Sequence, residues 1–124
     1  MRPVLIAVLL CLSGATTAQD WALRDSDSRL SAQELARIGN GARFTYYDDG
    51  VSQFSADGSY SYTYADNGGT AFGVFHIRPD GQVCIDFRNG FGRCDLYVRS
   101  NGVVVMLSEK GHRFPVRVSL GLTE

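Results

Sequence analysis

The chain has few of the residues from which most catalytic and metal sites are built. Its 124 residues include two histidines and three cysteines, and the formal net charge is −1. Such a sequence offers no Ser–His–Asp motif and no zinc-ligand spacing. Near-neutral charge without basic clusters gives no long-range attraction to nucleic acid or anionic lipid. We therefore expect a non-enzymatic protein without metal, cofactor or nucleic-acid partner.

The two histidines and the acidic turns are the remaining candidates for chemistry. His76 alternates with apolar neighbours, which predicts a surface position on a strand, and His112 belongs to a turn. The turns at residues 48–50 and 65–68 lack the alternating carboxylates and distal Glu of a calcium loop. Turn formation explains these residues, so the sequence predicts no catalytic residue and no metal ligand.

Long hydrophobic runs are also scarce. The apolar run at residues 4–12 is about nine residues long, whereas a membrane-spanning helix needs ~20. It follows Arg2 and precedes the small residues 13–18, which is the order of a secretory signal peptide. Cys11 follows Leu10 rather than a small residue, which disfavours a lipoprotein. We predict a signal peptide at 1–18, no membrane span after its cleavage, and a periplasmic or secreted mature chain.

Loss of Cys11 with the signal peptide leaves two cysteines. In an oxidising compartment this pair predicts a disulfide between Cys84 and Cys94. A redox-active dithiol is disfavoured because the C-x-x-C spacing is missing.

The hairpin that joins the cysteines has two simple registers. A two-residue turn at 89–90 pairs Val83 with Leu96 but places the cysteines on opposite faces of the hairpin. A three-residue loop at 88–90 sets the cysteines opposite each other but pairs Val83 with Asp95. We expect a bulge near 91–92 that satisfies both requirements.

Glycine-rich turns recur every eight to twelve residues and separate segments rich in Val, Phe, Tyr, Thr and Ile, which is typical of an antiparallel meander. We predict a mainly β fold of about eight up-and-down strands, forming a small barrel or a curled sheet, with one short N-terminal helix. Residues 31–124 are expected to be a single β-rich domain and 19–30 a polar leader. The predicted strands are 42–47, 51–55, 59–65, 70–77, 82–87, 93–99, 103–108 and 113–119.

A helix is predicted over 32–38. Ser31 and Glu34 match a capping box, and Gly39 is expected to provide a left-handed C-terminal cap. Its apolar residues Leu35 and Ile38 should lie across one open end of the sheet. In the leader, Trp21 is expected to pack onto the domain.

The strand pattern also predicts which residues are buried. In the last strand Phe114, Val116, Val118 and Leu120 alternate with polar residues and should share the buried face. Pro115 suggests an edge or a bulge there, and hence incomplete barrel closure. The apolar segment 103–107 should be covered on both faces, by the helix or the N-terminal tail. The interior is expected to be filled by Phe44, Phe54, Phe72, Phe75, Phe87, Val83 and Ile85.

Three tyrosines recur at every second position, which places Tyr60, Tyr62 and Tyr64 on one face of a strand, with Tyr46 or Tyr47 able to extend the patch. If this face is exposed, it is a possible binding surface for a glycan, peptide or protein. If it is inward, the rings belong to the core, and this is the commoner arrangement.

Residues 73–87, GVFHIRPDGQVCIDF, and 93–97, RCDLY, carry a family resemblance. With the 31–39 helix and the turn at 57–58, this stretch resembles small exported bacterial proteins in domain families of unknown function. Those families often have a Trp before the first cysteine strand, where this chain has Val74 or Phe75. The resemblance implies a periplasmic β-rich domain with one disulfide, and it implies no activity.

These observations favour a binding module whose partner is a protein or an envelope glycan. Two alternatives remain: an inhibitor of a lysozyme-like enzyme, and a carrier of a small apolar ligand, which requires an interior cavity of several hundred Å³.

Overall fold

The computed structural model describes Pro3 and residues 20–122. The predicted signal peptide, apart from Pro3, lies outside these residues. The described chain folds into one helix and nine strands: β1 (Asp27–Arg29), α1 (Ala32–Ile38), β2 (Arg43–Tyr46), β3 (Val51–Phe54), β4 (Ser59–Thr63), β5 (Thr70–Ile77), β6 (Val83–Phe87), β7 (Gly92–Ser100), β8 (Val103–Ser108) and β9 (Arg113–Leu120).

Strands β2 to β9 form a closed up-and-down barrel. Each strand pairs antiparallel with the next in sequence, and β2 also pairs with β9, which closes the circle. The predicted meander of eight strands with one short helix is thus confirmed. The incomplete closure expected at Pro115 is wrong, since β9 has neighbours on both sides.

Part of the segment expected to be a polar leader is built into the sheet. β1 pairs with the second half of β7, opposite residues 98–100, whereas β6 pairs with the first half, opposite 92–95. β1 therefore occupies the position beside β7 that β6 is too short to reach.

The helix closes one end of the barrel. Both hydrogen bonds of the capping box are present: the Glu34 amide donates to Ser31 Oγ at 3.1 Å, and the Ser31 amide donates to Glu34 Oε1 at 3.2 Å. Leu35 and Ile38 are buried in the core. The left-handed cap expected at Gly39 is wrong, because its φ is −62°; the chain turns instead at Gly41, where φ is +109°.

The barrel interior is packed with aromatic and aliphatic side chains. Phe44 and Phe54 lie at its centre, with their ring centroids 5.9 Å apart, and the Tyr97 ring lies 5.4 Å from that of Phe44. Val83 and Ile85 are buried as predicted, and Phe75 and Phe87 pack against the core. The position predicted for Phe72 is wrong: it points outward from β5 and is 50 % exposed.

A second hydrophobic layer covers the outside of β7 and β8. Leu96, Val98, Val105 and Leu107 form a separate buried cluster, and Trp21 packs against it. The prediction that the segment 103–107 is covered holds for residues 104–107 but is wrong for Val103, which is 38 % exposed. The prediction that Trp21 packs onto the domain is confirmed. The N-terminal segment 20–30, which we call the strap, therefore protects apolar surface that the barrel cannot bury internally.

A bulge changes the face of β9. Tyr46 lies opposite Val116, but Thr45 lies opposite Val118, so Arg117 is an extra residue in this ladder. Beyond the bulge the inward and outward positions exchange, and Val118 and Leu120 are 42 % and 57 % exposed. The prediction that all four apolar residues of this strand share a buried face is therefore wrong.

The disulfide between Cys84 and Cys94 is present, with the two cysteines directly opposite each other on β6 and β7. The expected bulge near residues 91–92 is wrong. The register runs without a shift from Asp86 opposite Gly92 to Val83 opposite Asp95, which is the register of the three-residue loop. A disulfide indicates an oxidising location outside the cytoplasm. In the described part of the chain, no helix has the length and apolar character of a membrane span.

Candidate binding site at the open barrel mouth

The barrel has one covered end and one open end. Because consecutive strands alternate in direction, the turn after β5 lies at the end covered by α1, where a Cβ on Gly81 would touch Leu35. The turns after β2, β4, β6 and β8 lie at the opposite end. That end holds a partly enclosed cavity of about 270 Å³, here called the mouth, lined by Tyr46, Tyr62, Tyr64, Arg93, Asp95, Met106, Ser108, Lys110, His112 and Phe114.

The tyrosine row, formed by β4 and the residue after it, runs from the core to the mouth. Tyr60 is buried, with 2 % exposure, whereas Tyr64 is 53 % exposed at the rim. Tyr62 lies between them, and its ring meets the Tyr64 ring edge to face, with centroids 4.9 Å apart. The row therefore points inward, and only its outer two rings can contact a ligand.

Gly50 provides the space for the tip of Tyr62. A Cβ at this position would lie 2.1 Å from the Tyr62 hydroxyl oxygen, so a side chain there would push the ring. Asp48 helps to shape the turn, because its Oδ1 accepts a hydrogen bond from the Gly50 amide at 2.9 Å. The β2–β3 turn thus sets the position of one wall of the mouth.

Arg93 and Asp95, both on β7, form a charged pair that faces the barrel interior near the mouth. Arg93 lies opposite Ile85 and Asp95 opposite Val83, and both aliphatic partners are buried. Arg93 Nε donates to Asp95 Oδ2 at 2.9 Å. Burial raises the pKa of the Asp95 carboxyl, although the adjacent guanidinium acts in the opposite direction.

A chain of hydroxyl groups connects this pair to the barrel centre. Arg93 Nη2 donates to the Tyr60 hydroxyl at 3.1 Å, and Ser52 Oγ lies 2.9 Å from the same oxygen. The Tyr46 hydroxyl lies 3.0 Å from Ser52 Oγ and 3.3 Å from the Tyr97 hydroxyl. Burial raises the pKa of Tyr46, Tyr60 and Tyr97, so these phenols stay protonated near neutral pH. Among the described residues, no buried side-chain polar atom lacks a partner.

The remaining candidates from the sequence lie away from the mouth or at its edge. His76 is on the outer wall, where Nδ1 lies 3.9 Å from Asp86 Oδ2 and both side chains are exposed. His112 lies on the rim near Phe114, with ring centroids 6.5 Å apart. Asp49 adopts a φ of +67°, which fits a turn, and accepts from Arg117 at 2.8 Å. Within the described residues, no group of three His, Cys, Asp or Glu side chains is placed to hold a metal ion.

Comparison of the chain with protein-family models, curated proteins and solved structures finds no match.

Sequence reasoning missed Arg93, Asp95 and Lys110 as mouth residues. Hydrophobic alternation places apolar residues inside a barrel, so a charged pair at inward positions contradicts the expected pattern. One signal was available: the three-residue register already set Val83 against Asp95, which turns Asp95 inward wherever Val83 is buried.

Proposed function

We propose that this protein is an exported, non-enzymatic binding module, and that the barrel mouth receives one sugar ring of an envelope glycan. The main support for this proposal is the difference between the two ends of the barrel. The helix α1 covers one end, whereas the other end holds a cavity with aromatic walls and charged groups. Export is supported by the predicted signal peptide and by the disulfide. The same features support a periplasmic or secreted location.

The size and lining of the mouth favour a single ring. Ligand pockets for whole small molecules occupy about 300–1,000 Å³, and this cavity lies just below that range. Tyr64 and Phe114 present exposed aromatic surface at its edge, while Ser108 and Lys110 supply polar groups. Flat apolar surface with nearby hydrogen-bonding groups suits a sugar ring, which has both an apolar face and hydroxyl groups.

The packed interior gives no support to the apolar-carrier alternative. Phe44, Phe54 and Tyr97 occupy the barrel centre, and all three are buried.

The alternative function as an enzyme inhibitor can be tested separately. Inhibition of lysozymes at micromolar concentration would favour it over glycan binding.

An NMR titration with soluble envelope oligosaccharides of one to four rings tests the proposal. We expect amide shifts in β4, in the start of β7 and in the β8–β9 turn. Tyr64→Ala should abolish them. Phe72→Ala is a matched control, because this aromatic side chain is similarly exposed but lies on the outer wall. Shifts confined to the outer wall, or equal losses in both variants, would reject the mouth as the binding site.

A further inference from the structure

Arg93 is held in a fixed position at the inner wall of the mouth. Its Nε is bound by Asp95 and its Nη2 by the Tyr60 hydroxyl, and both partners are buried. The guanidinium also lies near two rings, 5.8 Å from the centroid of Tyr62 and 5.6 Å from that of Phe87. These contacts restrict the side chain before any ligand arrives, which lowers the entropic cost of binding through it.

One edge of this guanidinium is left for a ligand. In the part of the chain that the structure describes, Nη1 has no hydrogen-bond partner, while the side chain lines the mouth and is partly exposed. Nη1 carries two N–H donors, and charge-assisted hydrogen bonds from them to carboxylate oxygens are stronger than neutral ones. The free edge is therefore suited to a carboxylate.

The charge of the mouth favours an anion as well. Asp95 is buried and engaged by Arg93, so its charge is already compensated. Lys110 lies exposed on the rim, and among the described residues it has no ion-pair partner. Among the residues that line the mouth, two are cations and one is a carboxylate, although the whole chain has a net charge of −1.

An aromatic surface faces the same space as these cations. Phe114 and Tyr64 both line the mouth and keep substantial exposed ring area. A ligand that places a ring against them can direct a substituent toward Arg93. The combination selects for a ring and an anionic group on one molecule.

We infer that the mouth recognises a sugar ring that carries a carboxylate, with the ring against Tyr64 and Phe114 and the carboxylate at Arg93 and Lys110. The inference rests on the proposed function and names the substrate class of the same site. Arg93 supplies directed hydrogen bonds, and Lys110 supplies attraction from the rim.

A matched ligand pair tests this inference on the mature protein. N-acetylmuramic acid carries a carboxylate on an ether substituent, whereas N-acetylglucosamine has the same amino-sugar ring without it. We expect the acid to bind at least about tenfold more tightly by calorimetry or NMR titration, as charge-assisted hydrogen bonds imply. The preference should weaken as salt is added.

Three variants assign the preference to individual side chains. Arg93→Lys keeps the charge but loses the directed guanidinium N–H donors, and Lys110→Met removes an exposed charge without touching the core. Each should reduce the preference several-fold. Arg43→Met is the control, because Arg43 is an exposed cation on the β2 strand, outside the mouth lining. Thermal melts establish that each variant is folded, and Lys110→Met decides the question if Arg93→Lys is unstable.

The outcomes separate the two proposals. Equal binding of acid and neutral sugar, both lost in Tyr64→Ala, would overturn the carboxylate inference and leave the glycan site intact. Absence of mouth shifts with either sugar would overturn both. Binding of a peptide ending in Phe, but not of its C-terminal amide or of the sugar acid, would overturn the sugar assignment and identify a peptide carboxylate as the ligand.

Discussion

Arg113, at the start of β9, binds Asp27 of the strap through two parallel hydrogen bonds. Nη1 donates to Asp27 Oδ2 and Nη2 to Oδ1, each at 2.8 Å, and the Asp27 side chain is fully enclosed. The Arg24 amide also donates to Asp27 Oδ2 at 2.8 Å. This pair fixes the strap, and with it the position of Trp21 over the outer hydrophobic cluster.

Asp27→Asn should therefore release the strap. Removing one partner of a buried ion pair costs roughly 3–5 kcal/mol, and we expect the lower end because Arg113 keeps some exposure. Trp21 is the single tryptophan of the chain, so its fluorescence reports the strap directly. We expect a red-shifted emission and a lower urea midpoint. Asp25→Asn changes an exposed carboxylate of the same segment and should leave both measurements unchanged.

The loss of stability caused by Asp27→Asn should depend on pH. The hydrogen bonds from Arg113 hold the pKa of Asp27 well below its usual range. A carboxylate with a lowered native pKa stabilises the fold above its unfolded pKa of about 3.9, and this contribution is lost as the pH falls. The difference in unfolding free energy between wild type and Asp27→Asn should thus shrink below about pH 4. A difference that grows on acidification would contradict this assignment.

The contribution of Asp95 to the unfolding free energy should change with pH in the opposite direction. Burial raises its native pKa, so its contribution to stability is complete below the unfolded pKa of about 3.9 and is lost as the pH rises through the native value. The unfolding free energy of wild type minus that of Asp95→Asn should decrease as the pH rises above about 4 and then level off. Urea unfolding at closely spaced pH values measures this. A difference that increases over the same range would show that pairing with Arg93 outweighs burial.

At Gly73 the paired strand β6 lies so close to β5 that a side chain would contact its backbone. A Cβ there would lie 2.4 Å from the Asp86 carbonyl oxygen and 3.0 Å from Phe87 Cα, and backbone atoms of a paired strand cannot move aside easily. Overpacking of this kind costs roughly 1–3 kcal/mol, so Gly73→Ala should lower the urea midpoint clearly. At Gly92, another strand glycine, the nearest atoms would be 3.4 Å away, and Gly92→Ala should be nearly neutral. Equal effects at both sites would refute this explanation.

The disulfide should stabilise the barrel without being needed for its formation. Cys84 and Cys94 are separated by ten positions, and closing a loop of this size contributes roughly 2–3 kcal/mol in the chain-entropy model. The double variant Cys84→Ala, Cys94→Ala should lose about that much while keeping the β-sheet circular dichroism of the wild type. Under reducing conditions the two proteins should unfold at similar urea concentrations. A variant that cannot fold at all would show that the bridge is obligatory.

Local sequence rules predict the positions of the helix and strands well. They predict less well which side chains of a strand face the barrel interior. The capping box of Ser31 and Glu34, the strand positions and the cysteine pairing each depend on residues close in sequence or on a single candidate partner. The exposure of Val118 and Leu120 depends on one extra residue, Arg117. Pro115 indicated an edge or a bulge in this strand, but it did not indicate which residue is extra. Register between strands is a tertiary property, so one bulge can reverse an alternation that looks regular in the sequence.

The candidate site was harder to predict because distant segments assemble it. The tyrosine row indicated one wall of the mouth, but the role of each ring depends on how deeply it lies in the barrel. Tyr60 is buried in the core, whereas Tyr64 lies at the exposed rim. Arg93 is tolerated inside because Asp95 and Tyr60 satisfy its donors, and this compensation is visible only in three dimensions. Rules based on hydrophobicity treat each position separately, so they assign such a residue to the surface.

Closure of the barrel limits how a partner can attach. In the described part of the chain, the eight barrel strands have hydrogen-bonded neighbours on both sides, and the strand at the end of the sheet, β1, is three residues long. Partners that recognise main-chain groups need a longer open edge on which to add a strand. Strand addition to the barrel is therefore disfavoured, and substitutions at the rim can change the side-chain surface of the mouth while the hydrogen-bonded framework stays the same.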